Sequence, residues 1–411
     1  MTAKPDTRLD KVSLLEILVT FLRIGAASFS LAALGEAKKL LVQQKKWFSD
    51  EDYLQGVALS QLIPGAPAFS LMTYLGYRLR GFWGAMISAC SYMLPAFLLM
   101  VLLTHLYQIY GDLDLLSNLF TGLGALVVGL VVNTVLGLWQ SGVKSRQNLL
   151  LAVMGFALIY FAKLNIYWIL LSATLLSITF IILARYSSWW KNCMAAERGI
   201  KQQQRFTPQP INWQKQFITV GWVTALTAGA LVLFCQNEVY MNLGKSFSSI
   251  GGLVFGSGYA MLPFFQEASV DRFAWITSRE FTVALALALV TPGPITKIVT
   301  FVGYKAAGLP GALVATTAMY LPSFCVLNLT TDLYRRAGQV TAVRMLIKGV
   351  VAAFIGTLWA VVIRLTTDIL VDIPTVIFAL AAFAVQRYTR IDTLWIIIAG
   401  AVLSLIVFNV L

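Results

Sequence analysis

Two short segments rich in proline and glycine interrupt apolar stretches of the chain, and their backbones could bind an anion. One runs from Val290 to Lys297 and the other from Leu62 to Pro67. Proline removes a backbone donor and glycine adopts conformations closed to other residues, so each segment should break a helix. The helix that restarts beyond a break exposes unpaired N–H groups at the positive end of its dipole. This pattern predicts a pair of half-helices at each break, with an anion site where the second one begins.

Hydroxyl, amide and charged side chains near the two breaks extend this predicted site. The candidate substrate-binding residues are Ser60, Gln61, Gly65, Ala66, Ser70, Thr291, Gly293, Thr296, Lys297, Phe29, Ser30, Gly256, Ser257, Gly258 and Arg23. The residues expected to break the helices are Pro64, Pro67, Pro292 and Pro294. Glu36 and Glu267 end the first apolar stretch of each half and are candidates for carrying protons.

Lys297 is the most distinctive single residue, because it lies three positions after Pro294 in an otherwise apolar segment. A charge inside a membrane segment is a functional hypothesis by default, here a counter-charge for an anion. Two structural alternatives remain open. The side chain could extend to an interface, or it could pair with a buried acid such as Glu267.

Two arginines in apolar stretches could form ion pairs within the protein. Arg23 lies within the first apolar stretch and either contributes to the site or pairs with a neighbouring helix or with Glu36. Arg364 and Asp368 are one helical turn apart and are expected to pair with each other.

Composition places all of these residues in a membrane. Hydrophobic residues make up 58% of the 411 residues and charged residues 12%, and apolar runs of about 20 residues recur. The net charge of +13 is attributed to cytoplasmic loops rather than to nucleic-acid binding. Four dispersed cysteines and a single histidine indicate neither a disulfide framework nor a metal site, and no cofactor is expected.

The chain contains an internal duplication. At a constant offset of 227 residues Gly76 matches Gly303, Leu94-Pro95 matches Leu321-Pro322 and Tyr107 matches Tyr334; upstream of the breaks Trp47 matches Trp275 at 228. The slip of one residue is Ala66, an insertion inside the first break. The sequence therefore predicts an all-α polytopic membrane protein with two homologous halves, roughly 10 to 12 membrane segments and one broken helix pair per half.

The predicted boundaries follow from this duplication. Residues 12–184 are predicted to form the first repeat, residues 185–246 a basic cytoplasmic linker with one connecting helix, and residues 247–411 the second repeat. The stretches 14–34 and 247–265 are expected to be equivalent first helices, the former crossing the membrane. The loop after Tyr107 is acidic and the loop after Tyr334 is basic, so the positive-inside rule places them on opposite sides and predicts an inverted repeat. Whether the broken pairs cross the membrane or re-enter is left open.

The duplicated pattern resembles the chromate ion transporter family, in particular its long, two-domain members. The motifs that carry the resemblance are Phe255-Gly256-Ser257-Gly258-Tyr259, Thr291-Pro292-Gly293-Pro294 and Gly308-Leu309-Pro310-Gly311-Ala312, and the likeness covers nearly the whole chain from about Leu14. The first half departs from the family pattern at Phe29-Ser30-Leu31-Ala32 and at Pro64-Gly65-Ala66-Pro67.

The resemblance implies a secondary transporter of chromate or a related oxyanion such as sulfate in the plasma membrane, acting by efflux and conferring chromate resistance. An anion channel of the same architecture is the main alternative. A membrane-embedded enzyme would need a nucleophile with its base or paired acids, and the sequence offers neither. The expected partners are a small inorganic anion and membrane lipid, with no nucleic acid. Coupling to a proton or ion gradient and a homodimeric state stay open.

Overall fold

A computed structural model describes residues 12–28, 32–111, 114–164, 166–186, 213–337, 341–389, 391 and 393–410. These residues form fifteen α-helices and no β-strand. The first half contains α1 (Leu14–Ala27), α2 (Ala32–Lys38), α3 (Asp50–Ser60), α4 (Pro67–Tyr110), α5 (Asp114–Gly142), α6 (Arg146–Tyr160) and α7 (Ile166–Tyr186). The connecting helix is α8 (Trp213–Phe234). The second half contains α9 (Glu238–Leu253), α10 (Leu262–Gln266), α11 (Ser278–Val290), α12 (Ile298–Ala337), α13 (Thr341–Ile369), α14 (Ile373–Tyr388) and α15 (Thr393–Val410).

Each half begins with a helical hairpin that folds back on itself, here called the leading hairpin. In the first half α1 is followed by α2 and a π-helical turn (Lys39–Gln44), and Lys45 Nζ lies 3.1 Å from Glu16 Oε1 at the start of α1. In the second half α9 is followed by α10 and a π-helical turn (Glu267–Arg272), and the Trp275 ring lies 6.0 Å from the Phe247 ring. Both ends of the first leading hairpin therefore lie on one side of the molecule, and in the second the returning arm lies beside the middle of α9.

The predicted broken helices form a second folded-back pair in each half, here called the break hairpin. Helix α3 leads into the first break and α4 leads out of it, and Asp52 at the start of α3 lies 3.4 Å from Arg78. Helix α11 leads into the second break and α12 leads out of it, and Glu280 lies 2.8 Å from Lys305. The two ends of each break hairpin therefore meet on one side of the molecule.

A second interruption separates each break hairpin from the long helix that follows. Helix α4 has non-helical dihedral angles at Arg80 and Gly81, and α12 has them at Ala307 and Gly308. The φ angles of the two glycines are +59° and +64°. Beyond these kinks the chain continues as one long apolar helix, so a hairpin and a full crossing are joined within one continuous element.

Nine apolar helices remain among the described residues once the hairpins are set apart. Five are long enough to cross a membrane: the candidate spans lie within Pro67–Tyr110, Asn118–Gly142, Phe217–Phe234, Ile295–Leu329 and Met345–Ile369. Four shorter apolar helices are Arg146–Tyr160, Tyr167–Leu183, Ile373–Tyr388 and Thr393–Val407. The all-α polytopic architecture predicted from composition is confirmed.

The expected single helix over 14–34 is wrong in its length. Helix α1 ends at Ala27, and the chain then folds back as α2 instead of continuing across a membrane. The equivalent α9 begins at Glu238, before the predicted start of the second repeat at 247, and ends at Leu253. Hydrophobicity alone could not show this turn, because the polypeptide on both sides of it is apolar.

The halves pack against each other reciprocally. Helix α5 of the first half packs on α14 and α15 of the second, and the equivalent α13 packs on α6 and α7 of the first. Helices α4 and α12, which are themselves equivalent, pack on each other. If a helix of one half contacts a second helix in the other half, and the equivalents of these two helices form the same contact with the halves exchanged, the halves are related by a twofold axis. The break hairpins are consequently brought together at the centre of the molecule.

Candidate functional site

The two proline-glycine breaks are the buried tips of their hairpins and contact the opposite half. The Gly65 amide donates to the Val254 carbonyl at 2.9 Å, and the Gly293 amide donates to the Ser28 carbonyl at 2.6 Å. Ser28 and Val254 cap the C-terminal ends of the equivalent helices α1 and α9. Each break hairpin thus rests on the tip of the other half's leading hairpin. The glycine N–H groups are engaged in this interface.

Lys297 is fully buried, at 0% exposure, and holds its charge against the end of helix α11. Its ammonium donates to the carbonyls of Thr291, Pro292 and Gly293 at 2.8, 2.9 and 3.2 Å. An ammonium has three donors, so all three are used. The C-terminal end of a helix carries partial negative charge, which stabilises a cation there. The Lys297 amino group therefore lies among three backbone carbonyls at the end of α11.

The predicted alternative in which Lys297 pairs with Glu267 is wrong. Three carbonyls surround the ammonium, and no carboxylate among the described residues lies within ion-pair distance of it. The expected pair of Arg364 and Asp368 is also wrong. Arg364 instead bonds to Asp271 of the π-helical turn, 93 residues away along the chain. In both cases tertiary contacts supplied partners that sequence spacing could not show.

Tyr320 connects the starts of the two helices that leave the breaks. Its hydroxyl lies 2.7 Å from Thr296 Oγ1, in the short 3-10 turn that precedes α12. Its ring centroid lies 4.7 Å from that of Phe69, in the first turn of α4. Neither helix start has a side-chain cap, with Ala66 and Pro294 at the N-cap positions. Two uncapped helix starts from opposite halves thus share one neighbour beside a buried ammonium.

Two hydroxyls in this region have no hydrogen-bond partner among the described residues. Ser70 is the equivalent of Lys297 in the first half, and its Oγ is buried and unpartnered. The Tyr92 hydroxyl is likewise buried and unpartnered, and it lies within electrostatic range of Tyr320 and Tyr53. Buried polar groups are nearly always paired, so unpaired hydroxyls beside helix starts are available to a ligand.

The remaining candidates at the breaks divide into buried and accessible groups. Ser60 is buried and donates to the Val57 carbonyl at 2.8 Å, while Thr291 is buried and donates to the Leu287 carbonyl at 2.8 Å. Gln61 is exposed beside the tip. The helix-breaking role of the four prolines agrees with the ends of α3 and α11 and the starts of α4 and α12.

The candidates on the leading hairpins lie at or near their tips. Gly256, Ser257 and Gly258 are half-buried; Gly256 has φ +103°, and a Cβ on Gly258 would lie 3.2 Å from Thr296 Cγ2. Arg23 is exposed on α1. Phe29 and Ser30 lie outside the described residues. The second-half tip therefore borders the helix start at Thr296.

The two proton-coupling candidates are both partly exposed and lie far from Lys297's hydrogen bonds. Glu36 lies in α2, and Glu267 begins the π-helical turn after α10. Burial raises the pKa of the Glu267 carboxyl, with Asp271 adding to the rise and Arg272 opposing it. Of the two, Glu267 has the environment that favours taking up a proton.

Sequence reasoning missed the residues that join the halves and the hairpin ends. Ser323 donates to the Pro64 carbonyl at 2.8 Å and so also links the second half to the first break. Tyr92 and Tyr320 were not singled out either. The pairs Asp52–Arg78 and Glu280–Lys305 were detectable, because an acid recurs at an offset of 228 and a base at 227.

Two homologous halves, helical hairpins that contact each other at buried tips, and long apolar helices define a polytopic membrane protein of transporter architecture. The model of the chromate transporter family matches residues 15–178 and again residues 241–405. The chain belongs to the chromate transporter family, a family of multi-pass membrane transporters and not of enzymes. The two matched regions coincide with the two halves of the fold.

Curated relatives extend over nearly the full chain. A chromate transport protein of Cupriavidus metallidurans is 30% identical over 97% of this chain and 94% of its own length. A probable chromate transport protein of Synechococcus elongatus is 29% identical over 90% of this chain and 89% of its own. An uncharacterized transporter of Methanocaldococcus jannaschii is 26% identical over 96% of this chain and 94% of its own. No solved structure matches the chain. These relatives support a plasma-membrane location.

Proposed function

We propose that the chain is a secondary active transporter that moves chromate, or a related tetrahedral oxyanion such as sulfate, across the plasma membrane in the direction of efflux. Two relatives that align with at least 90% of the chain are named for chromate transport. The anion is bound between the two break hairpins and is exposed to one side of the membrane at a time.

One observation carries this proposal: two uncapped helix starts from opposite halves meet at Tyr320 beside the buried ammonium of Lys297. The first turn of a helix presents unpaired N–H groups to an anion. Lys297 neutralises the carbonyl end of α11, which would otherwise repel an anion at the same point. Ser70 and Tyr92 add two unpartnered hydroxyl donors.

An inverted arrangement of the halves supports alternating access to this site. The linker before α8 is basic, and so is the loop after α12, which places both in the cytoplasm by the positive-inside rule. Helix α8 has no counterpart in the first half and would return the chain to the other side before the second half begins. The leading and break hairpins of the two halves then enter from opposite faces and meet at their tips.

The same architecture would suit an anion channel, and flux measurements separate the two. We expect purified protein in liposomes to accumulate radiolabelled chromate or sulfate against its concentration gradient when a pH or ion gradient is imposed. Flux should saturate with anion concentration, since a carrier must bind before it turns over. Purely downhill flux under every imposed gradient would support the channel and remove the carrier proposal.

A further inference from the structure

A cavity of about 670 Å³ lies on the outer side of the second half, away from the break hairpins. It is formed by α8, α9, α12 and the α10 hairpin arm, with Tyr167 of α7 at its edge. Tyr167 is held there by a hydrogen bond between its hydroxyl and that of Ser249. The cavity is not part of the site proposed above, because it lies on the face of α12 that carries Leu321, Pro322 and Cys325.

The chemistry of the cavity is divided between an apolar interior and a basic edge. Its interior is lined by Val223, Ala230, Leu231, Phe234 and Phe264. Its polar lining includes two cations, Lys245 and Arg272, which are both exposed.

Serine hydroxyls of α9 lie beside these cations, namely Ser246, Ser248 and Ser249. Neither Lys245 nor Arg272 forms an ion pair within 4 Å among the described residues. Glu267 also lines the cavity and interacts electrostatically with Arg272, so the lining retains a net positive charge.

Helix α8 leaves this cavity open toward the membrane. Only 22% of its most apolar 18-residue window is buried, against 39 to 67% for the other four long spans. The exposed side chains of α8 are apolar and include Phe217, Trp222, Leu231 and Val232. A ligand that entered between α8 and its neighbours would therefore arrive from the lipid phase.

We infer that this cavity binds one anionic phospholipid, with its phosphate at Lys245 and Arg272 and its acyl chains along the apolar wall. Basic pockets between membrane helices bind acidic lipid headgroups, and each basic side chain contributes measurably to that attraction. A free inorganic anion fits less well, since most of the lining is apolar and would gain nothing from it. The hydroxyls of Ser246 and Ser248 would donate to the phosphate or glycerol oxygens, while that of Ser249 donates to the Lys245 carbonyl.

The first half cannot build the same site. The positions equivalent to Lys245 and Arg272 are Val19 and Gln44, and no helix corresponds to α8 there. Lipid binding would consequently be a property of the second half alone, and one lipid per chain is expected.

Native mass spectrometry of the full chain, released from detergent with defined lipids, tests this inference. We expect phosphatidylglycerol to be retained about tenfold more than phosphatidylcholine, with one molecule per chain. The double variant Lys245→Gln with Arg272→Gln should reduce phosphatidylglycerol retention to the level of phosphatidylcholine. The matched control, Lys144→Gln with Arg146→Gln, removes two exposed cations elsewhere and should change nothing.

A second variant addresses the apolar wall without altering charge. Ala230→Trp fills the interior, and it should lower retention of both lipids while leaving the oligomeric state unchanged. Equal retention by the charge-neutralised double variant and the control would overturn the inference. So would displacement of the lipid by millimolar inorganic phosphate or sulfate, or a dimer in which a second copy covers α8 and no lipid is bound.

Discussion

The two breaks have nearly the same backbone and different side chains. Gly65 and Gly293 have φ angles of +105° and +101°, and each donates its N–H to the helix end of the opposite half. Such reciprocity is what a twofold relation between the halves requires. A backbone that is equivalent on both sides can form the same contacts in either of two orientations, which is what alternating access needs.

The side chains at the breaks are not equivalent. Lys297 in the second half corresponds to Ser70 in the first, and Ser323 in the second corresponds to Ala96 in the first. The first break also contains the inserted Ala66. The duplication therefore retained the geometry in both halves while the charge came to lie in one. In the mechanism proposed above, the hairpins would provide the movement, and the single lysine would provide the selectivity for anions.

Exchange of the charged residue between the halves is the strongest test of this comparison. We expect Lys297→Ser to reduce oxyanion flux by at least about a hundredfold, because it removes the buried charge and leaves three carbonyls without a donor. Ser70→Ala, the corresponding change in the first half, should reduce flux less, by about tenfold, because it removes one hydroxyl donor and no charge. Adding Ser70→Lys to Lys297→Ser should restore part of the flux, since position 70 is the equivalent of position 297 in the first break.

Liposome flux at equal amounts of folded protein measures this prediction, with size-exclusion profiles as the check on folding. Unimpaired flux in Lys297→Ser would remove Lys297 from the mechanism. No recovery in the double variant would mean that the two breaks are not functionally interchangeable.

The positive φ angles at the breaks predict the next largest effect. A Cβ on residue 65 would lie 1.8 Å from Ser323 Oγ, and a Cβ on residue 293 would lie 2.7 Å from Ala96 Cβ. Gly65→Ala and Gly293→Ala should therefore each lower the melting temperature and the flux. At residue 65 the Ser323 hydroxyl must rotate away and lose its bond to Pro64, and at residue 293 the Ala96 methyl group has no rotamer to adopt. Gly81→Ala is the control, because Gly81 has φ +59° and ψ −144° but no atom within 4 Å of its Cβ, so only a backbone cost of about 1–3 kcal/mol applies.

Adding Ser323→Ala to Gly65→Ala separates the clash from the backbone cost, since it removes the hydroxyl in conflict. Partial recovery of the melting temperature is expected. If Gly65→Ala and Gly81→Ala behaved alike, the tip of the break hairpin would not be packed as described.

The sequence predicts the backbone breaks of this protein better than it predicts the contacts of its side chains. The broken helices, the duplication and the one-residue slip at Ala66 all follow from proline, glycine and offset patterns in the sequence. The folding back of α1 after Ala27 did not, because the turn lies between two apolar segments that read as one helix. The carbonyl partners of Lys297 were unpredictable in principle, since backbone oxygens have no signature in the sequence.

The pairs that close the break hairpins lay within reach of sequence reasoning. Asp52 and Glu280 are both acids and Arg78 and Lys305 are both bases at the offsets of the repeat. Aligning the two halves by their charged residues as well as by their glycines predicts that the two helices at each break pair as a hairpin.

A smaller effect concerns the candidates for proton coupling. Since burial raises the pKa of Glu267, the folded state binds its proton more readily than the unfolded state does. The Glu267 carboxyl therefore favours the folded state when it is protonated at low pH, and this contribution to stability is lost as the pH rises through its raised pKa. Glu267→Gln should raise the melting temperature above that of the wild type by about 1–2 °C at alkaline pH and leave it unchanged at acid pH.

The flux of the same variant tests coupling. If Glu267 carries the coupled proton, Glu267→Gln should abolish stimulation by a pH gradient while downhill exchange persists. Glu36→Gln is the comparison variant, because Glu36 lies on the leading hairpin of the other half. Full stimulation in Glu267→Gln would exclude that residue as the proton carrier.

The smallest predicted difference between the halves is in the coupling free energy of the ion pairs at the open ends of the break hairpins. Glu280 and Lys305 lie 2.8 Å apart with side chains 19% and 20% exposed, whereas Asp52 and Arg78 lie 3.4 Å apart with Asp52 36% exposed. Solvent weakens the more exposed pair, so double-mutant cycles should give a coupling of about 1 kcal/mol for Glu280–Lys305 and a few tenths for Asp52–Arg78.

Each cycle combines the single changes Glu280→Gln with Lys305→Gln, or Asp52→Asn with Arg78→Gln, and thermal unfolding in detergent measures it. Glu280 also accepts from the Thr277 amide, and the cycle cancels that contribution because it is lost equally with and without Lys305. Equal coupling in both halves would show that the two hairpins are closed to the same extent, and that the asymmetry of the protein is confined to its centre.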